Sequence, residues 1–403
     1  MMSPSWEPLA HLSSFSPSST GPHTPRSPTH VSILGDLFSS QWIDDTEFEV
    51  RVARYRSIFP DPSIATATAT ATSSGTERSG PVMINVTGNH DIGYGNDISQ
   101  YRIERWEQVF GRSNFISSMD IPTAHVAGNN ENDTESRSTQ GSSAGSRKLH
   151  LVVLNTMLLD GPSSDENLRG QTWEFLQEAS SLKEFNPQDK IVLLTHIPFH
   201  KEQGICIDPP DIRVHSDNTI IEQTMLTPNT TQWILNNLRP DFVLNGHDHY
   251  GCDVTHILAH NQVTWTASAT INPSLYTTSS PSPQEEDQKA QHQDEQRPRK
   301  VREVTQRSMM AEFGGYSGLF EIKTPTFATY PENITGGDLE FHYTACGFFN
   351  DLQVWIVIVT DLIVLGLWSL LGLVHLVSST ITTASSGQAR RKANLSSEKQ
   401  KLL

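Results

Sequence analysis

Four short apolar runs along this chain each end in Gly or Thr and then in a side chain that binds metal ions. They read Ile33-Leu-Gly-Asp36, Val86-Thr-Gly-Asn-His-Asp91, Ile191-Val-Leu-Leu-Thr-His196 and Val243-Leu-Asn-Gly-His-Asp-His249. Runs this short, rich in Val, Ile and Leu, suit buried strands better than helices. One Gly-Asp or Thr-His at a strand end is ordinarily a turn residue. Four in series restrict the chain to folds that bring several strand ends together at the carboxyl edge of a sheet.

The residue types have a common chemistry. Two divalent cations about 3.5–4 Å apart need one carboxylate to bridge them, with neutral nitrogen and amide-oxygen ligands in the other positions. Asp36 suits the bridge, Asn89 offers its side-chain carbonyl, and His196, His247 and His249 offer ring nitrogens. His90 is placed to hydrogen-bond a phosphoryl oxygen and protonate a departing alkoxide. Asp91 is expected to accept from His90 and fix its tautomer.

Together, Gly35-Asp36, Gly88-Asn-His-Asp91, His196 and Gly246-His-Asp-His249 resemble the signature of the calcineurin-like metallophosphoesterases, over roughly residues 31–320. The resemblance implies an α/β fold, a two-sheet β-sandwich flanked by helices. It also implies two metals that activate a water for in-line attack on phosphorus, manganese being expected, with iron or zinc as alternatives. Four further strings narrow it: Gly35-Asp-Leu-Phe38, Arg54-Tyr-Arg-Ser-Ile-Phe59, Asn245-Gly-His-Asp-His-Tyr-Gly-Cys252 and Arg307-Ser-Met-Met-Ala-Glu-Phe-Gly-Gly-Tyr316. They are similar to the membrane-bound branch that removes ethanolamine phosphate from GPI-anchor mannose in the endoplasmic reticulum (ER). GPI-anchored proteins or the GPI glycan are then the expected substrate. Arg307 is a candidate for holding the phosphate or glycan, a surface salt bridge being the alternative.

One motif of the family is not filled. Its first strand carries Asp-x-His or Asp-x-Gln, and residues 1–35 contain no Asp. His11, His23 and His30 read as loop or strand-start residues. Asp36 and His249 alone then remain for the first metal, so the second metal is expected to be better held. A missing upstream segment accounts for this, and a disabled copy is the alternative. The competing functions are a membrane-tethered binding protein, and a phosphomonoesterase or sphingolipid phosphodiesterase on the same scaffold.

Strands are expected at 31–35, 82–87, 149–155, 190–195, 241–245 and 263–268, and helices at 44–58, 99–110, 165–185 and from Pro228. One catalytic domain, 31–345, follows a Ser/Pro/Thr-rich segment 1–30 that is not expected to fold. Polar insertions near 61–80, 127–147 and 278–300 read as disordered surface loops. Without the first strand, a sheet edge is expected to lie exposed.

The segment 352–377 is apolar but for Gln353, Thr360, Asp361, Ser369 and His375, longer than the roughly 20 residues that span a bilayer. The tail 378–403 carries Arg390, Arg391, Lys392, Lys399 and Lys401 against Glu398. The positive-inside rule therefore puts the tail in the cytosol and the catalytic domain in the lumen. Lys399-Gln-Lys401-Leu-Leu resembles the dilysine signal, which implies recognition by the COPI coat, an ER address and cycling to the Golgi. Cys206 and Cys252 border two of the motif loops and are candidates for a disulfide, free thiols being the alternative. Asn132, Asn229 and Asn333 begin glycan-acceptor triplets, whereas Asn85 begins one inside a strand and is expected to be buried. A net charge of −16 without basic-aromatic clusters argues against nucleic-acid substrates.

Overall fold

Along each central strand, alternate side chains enter different cores. Leu34, Ile84, Val192, Leu194, Phe242 and Leu244 join one buried cluster. Their neighbours Ile33, Met83, Ile191, Leu193 and Val243 join another. A period of two with both faces buried requires a layer on each side of the sheet. The computed structural model describes residues 9–13, 28–59, 81–121, 147–259, 263–270, 298–323, 339–347 and 351–400.

The order begins with β1 (Leu9–Ser13), β2 (His30–Ile33), α1 (Asp45–Ile58), β3 (Val82–Asn85) and the one-turn α2 (Asn89–Ile92). It continues through α3 (Gln100–Phe110), β4 (Phe115–Asp120), β5 (Lys148–Val153), α4 (Glu166–Ser180) and α5 (Leu182–Phe185). Next come β6 (Lys190–Leu194), β7 (Ile212–Val214), β8 (Ile220–Gln223), α6 (Pro228–Asn237) and β9 (Phe242–Asn245). The last are β10 (Cys252–Leu258), β11 (Trp265–Ala269), β12 (Lys300–Thr305), β13 (Tyr316–Lys323), β14 (Glu340–Gly347) and α7 (Asp351–Gln400).

Two main sheets form, one ordered β14-β13-β1-β2-β3 and the other β11-β10-β12-β9-β6-β5-β4. Phe320, Ile322 and Phe341 from the first meet Leu151, Val192 and Phe242 from the second in one core. The expected two-sheet sandwich is therefore present. Helices cover the outer face: Phe48, Val52 and Tyr55 of α1 and Ile103, Trp106 and Phe110 of α3 pack with Met83 and Ile33. Four of the helices start at a side-chain cap. Asp44 accepts from the Glu47 N–H, Ser99 from Arg102, Asp165 from Asn167 and Leu168, and Thr227 from Thr230 just before Pro228.

Three expectations need correction. The segment 1–30 is not wholly without structure, because β1 lies between β13 and β2, parallel to the first and antiparallel to the second. Both neighbours would otherwise leave a row of backbone groups unpaired, and the nearest short run fills that row. The inner edge expected to be exposed is thus covered. The helix expected over 165–185 breaks at Ser181, where Ser180 and Ser181 hydroxyls donate to the Gln177 and Glu178 carbonyls. Such local bonds compete with the helical ladder. The insertions lie outside the described residues, apart from residue 147 and residues 298–300, as do His23, Asn132 and Asn333.

The chain divides into a unit ending at Phe348 and a second unit from Phe349. Within the second, Trp355–Ser378 of α7 is long and apolar enough to cross a membrane. Residues 401–403 lie outside the described residues.

Candidate metal centre

The four motif strands deliver their last residues from both sheets to one edge of the sandwich. After β2 the backbone turns sharply through Gly35 (φ 105°) and Asp36 (φ 54°). Only glycine fits the first position, since a Cβ there would lie 2.1 Å from His196 Nδ1. Gly88, after β3, is equally constrained by contact: its Cβ would sit 2.1 Å from Asp36 Oδ1. From the second sheet, the Thr195 N–H donates to the Leu244 carbonyl and the Gly246 N–H to the His196 carbonyl. These bonds stitch the ends of β6 and β9 together. His247 follows in a left-handed conformation (φ 74°). Non-glycine residues held at positive φ cost of order 1–3 kcal/mol and cluster at functional sites.

The result is a meeting of atoms that all carry lone pairs. His196 Nδ1 lies 2.7 Å from the Leu34 carbonyl and must donate to it, which leaves Nε2 bare. His247 Nε2 lies 2.8 Å from the Gln223 carbonyl and donates there, which turns the Nδ1 lone pair toward His196. These two nitrogens face each other at 3.2 Å. Asn89 Oδ1 lies 2.9 Å from His196 Nε2, and Asp36 Oδ1 lies 3.6 Å from it. Ligand atoms of Asp36, His196 and His247 all fall within 4.8 Å of one another. Lone pairs gathered this closely repel one another unless a proton or a metal cation lies between them, and a cation answers all of them at once. One carboxylate, one amide oxygen and two imidazoles fit a divalent metal of intermediate softness. The outward ring N–H bonds to carbonyls are the usual support for such ligands. Tyr94, whose hydroxyl lies 3.2 Å from His247 Nε2, and Gln223 carry no signal of this role in the sequence, because they act across 153 and 24 residues of chain.

His90 stands at the mouth, its side chain 39% exposed and its Nε2 3.9 Å from Asp36 Oδ2. Its backbone N–H donates to Asp36 Oδ1 at 2.7 Å. The ring's other nitrogen does not meet Asp91. It meets the Gln41 amide at 2.9 Å. That amide serves a neutral ring by donating its N–H and an imidazolium by presenting its carbonyl oxygen, which is otherwise buried without a partner. The expected Asp91–His90 contact is therefore corrected. Successive residues in a helical turn point about 100° apart, so Asp91 faces back to the turn's start. There its carboxylate accepts the Gly88 and Leu37 N–H groups, each at 2.9 Å. Burial, and then the neighbouring Asp36 carboxylate, push Asp91 well above the usual carboxylate range. Its work is to tie the Gly88 turn to the Asp36 turn. Spacing alone carries a hint of this, since Asp91 is the third helical residue after Gly88, the position that bonds back to a cap.

His249 is not brought into the group of converging ligand atoms. Its ring packs 4.7 Å from Phe313, against which Tyr250 also sets its edge at 5.2 Å. The Arg307 guanidinium lies 4.3 Å from the Tyr316 ring centroid. Its Nε is buried with no hydrogen-bond partner, and among the described residues no carboxylate pairs with it. Cys206 and Cys252 form a disulfide, Cα–Cα 5.7 Å. It clasps the loop after His196 to the start of β10, three residues past His249. Cys346 is free and exposed. Asn85 is buried and its Oδ1 accepts the Tyr55 hydroxyl at 2.7 Å, whereas Asn229 is exposed on the first turn of α6.

The family described as calcineurin-like phosphoesterase matches residues 24–251. Protein TED1 of Saccharomyces cerevisiae is 27% identical over 402 residues, covering 85% of this chain and 73% of that protein. Metallophosphoesterase 1 of Mus musculus is 25% identical over 252 residues, 57% of this chain and 52% of that one. Cell division control protein 1 of Saccharomyces cerevisiae is 25% identical over 234 residues, 55% of this chain and 37% of that one. The chain thus spans about half, or less, of the last two relatives.

Proposed function

This chain belongs to the calcineurin-like phosphoesterase family, and on that footing we propose that it is a phosphodiesterase acting on ethanolamine phosphate carried by GPI-anchor mannose. The observation that carries the phosphoesterase reading is the convergence of Asp36, Asn89, His196 and His247 on one centre with His90 beside it. The narrower substrate rests on the likeness of the Gly35–Phe38, Asn245–Cys252 and Arg307–Tyr316 strings to the membrane-bound branch, together with the apolar segment Trp355–Ser378.

Asp36, Asn89, His196 and His247 would hold a divalent ion, and manganese is the ion we expect. When bound, such ions polarise the phosphoryl group and acidify water. The remaining work falls to the chain itself. Gly35 and Gly88 let the carboxylate and the amide approach the imidazoles closely. His90, with Nδ1 on Gln41, keeps Nε2 free to hand a proton to the leaving alkoxide. Arg307, over the Tyr316 ring and without a carboxylate partner among the described residues, would offer its guanidinium to a phosphate oxygen. The ER membrane, a luminal catalytic domain, and coat recognition through Lys399 and Lys401 belong to the same proposal.

The test is hydrolysis by the full chain in detergent with Mn2+ added. The substrates are a mannose-linked ethanolamine phosphate, bis-p-nitrophenyl phosphate and p-nitrophenyl phosphate. Preferred turnover of the first supports the proposal. Turnover of the generic diester alone would retain the chemistry and overturn the substrate, and no turnover of any would overturn both.

A further inference from the structure

Glu303, on β12, touches none of the metal-binding side chains, yet its carboxylate joins the two segments that carry the histidines. Its side chain is fully buried. Oε1 accepts the Phe199 N–H at 2.9 Å, the Lys201 ammonium at 2.8 Å and the Asn245 amide N–H at 2.7 Å. Oε2 accepts from His256 Nε2 of β10 at 2.6 Å. Phe199 lies three residues after His196, and Asn245 lies two before His247. One oxygen atom thus receives donors from the segments next to both imidazoles, the loop after His196 and the end of β9 before His247.

We infer that Glu303 is a positioning residue, which sets the spacing between His196 and His247 and so the affinity of the centre for its metal. The inference rests on the metal-centre reading above. Two independent bonds agree with it: Gly246 N–H to the His196 carbonyl joins the same two segments, and the Gln306 N–H, three residues past Glu303, donates to the Asn245 carbonyl. The carboxylate is held ionised. Burial on its own raises its pKa, but the Lys201 ammonium and the His256 ring outweigh burial and bring it down to about 2. A buried ion pair is poor evidence of a gain in stability, since apolar replacements of similar volume are often neutral or better. The arrangement is better explained by geometry: an apolar side chain fills the space but cannot accept from two loops at once.

The experiment separates shape from stability with two double variants of the full chain in detergent. Lys201→Met/Glu303→Gln removes both charges and keeps an acceptor oxygen for Phe199 and Asn245. Lys201→Met/Glu303→Leu removes the charges and the acceptor. Thermal unfolding monitors the fold, and Mn2+ titration by calorimetry reads affinity. The Gln variant should bind Mn2+ within about threefold of wild type, and the Leu variant about tenfold more weakly while still unfolding in one cooperative transition, near the lower end expected for residues supporting a ligand. Wild-type affinity in the Leu variant overturns the inference. If that variant does not fold, Asn245→Ala breaks the β9 arm alone, and wild-type affinity there overturns it equally. A wild-type chain that binds no Mn2+ would instead overturn the metal-centre reading itself.

Discussion

Gly35→Ala should damage the centre without touching any metal-binding side chain. The added Cβ would stand 2.1 Å from His196 Nδ1, 2.7 Å from Cγ and 2.8 Å from Cε1, where ordinary contact begins near 3.4 Å. The ring has no room to retreat while Nδ1 donates to the Leu34 carbonyl at 2.7 Å. Moving it forfeits that bond, a net loss of about 1 kcal/mol. A side chain at φ +105° adds roughly 1–3 kcal/mol of backbone strain. The total, about 2–4 kcal/mol, corresponds to a fall of roughly 5–12 °C in unfolding midpoint for a domain of this size. Because His196 is displaced directly, Mn2+ affinity should drop about 10–100-fold. Gly170→Ala is the control. It lies inside α4 with nothing within 4 Å of its Cβ, and should gain about 0.5–1 kcal/mol. Differential scanning fluorimetry and Mn2+ titration read both. If Gly35→Ala matched wild type in midpoint and affinity, the close approach of the two turns would not exist.

Three other outcomes follow. His90→Ala should lower kcat by roughly 10²–10⁴ with metal content unchanged on elemental analysis, and undiminished turnover would remove its role as proton donor. Reducing Cys206–Cys252, which closes 46 residues of chain, should cost about 4 kcal/mol by loop entropy, read as an unfolding midpoint lowered by dithiothreitol, and an unchanged midpoint under full reduction would contradict it. Glu303 makes stability acid-sensitive: its folded pKa, about 2, lies below the ordinary 4.5, so its contribution is complete above pH 4.5 and is lost as pH falls toward 2. That interval is worth about 3 kcal/mol, so the difference in stability between wild type and Lys201→Met/Glu303→Gln in urea titrations should change by about that amount across it; parallel curves would refute the assignment.

Legibility in the sequence followed burial. Strands β2, β3, β5, β6 and β9 were readable from their largely buried apolar runs, as in Ile191-Val-Leu-Leu194, and all but β5 end in a motif. β4 and β12 were not, since Phe115-Ile-Ser-Ser-Met-Asp120 and Lys300-Val-Arg-Glu-Val-Thr305 look like exposed segments. Arg302 is fully buried with Asp253 meeting it through two bonds, 3.0 and 2.6 Å, and Glu303 with Lys201 and His256 on its carboxylate. Partners so distant in sequence leave no local pattern. The same holds inside the site. Asp36, Asn89, His196 and His247 announced themselves by residue type, whereas Gln41, Tyr94 and Gln223 are ordinary residues that fix ring orientation through long-range bonds. Asp91 was read for its chemistry when its direction in the helical turn decided its partner.

The most direct test is an anomalous difference map from crystals of the full chain grown with Mn2+. The account predicts a peak bonded at roughly 2.0–2.3 Å to Asp36, Asn89, His196 and His247 together. A map without a peak there, or with manganese bound away from those four side chains, would contradict it.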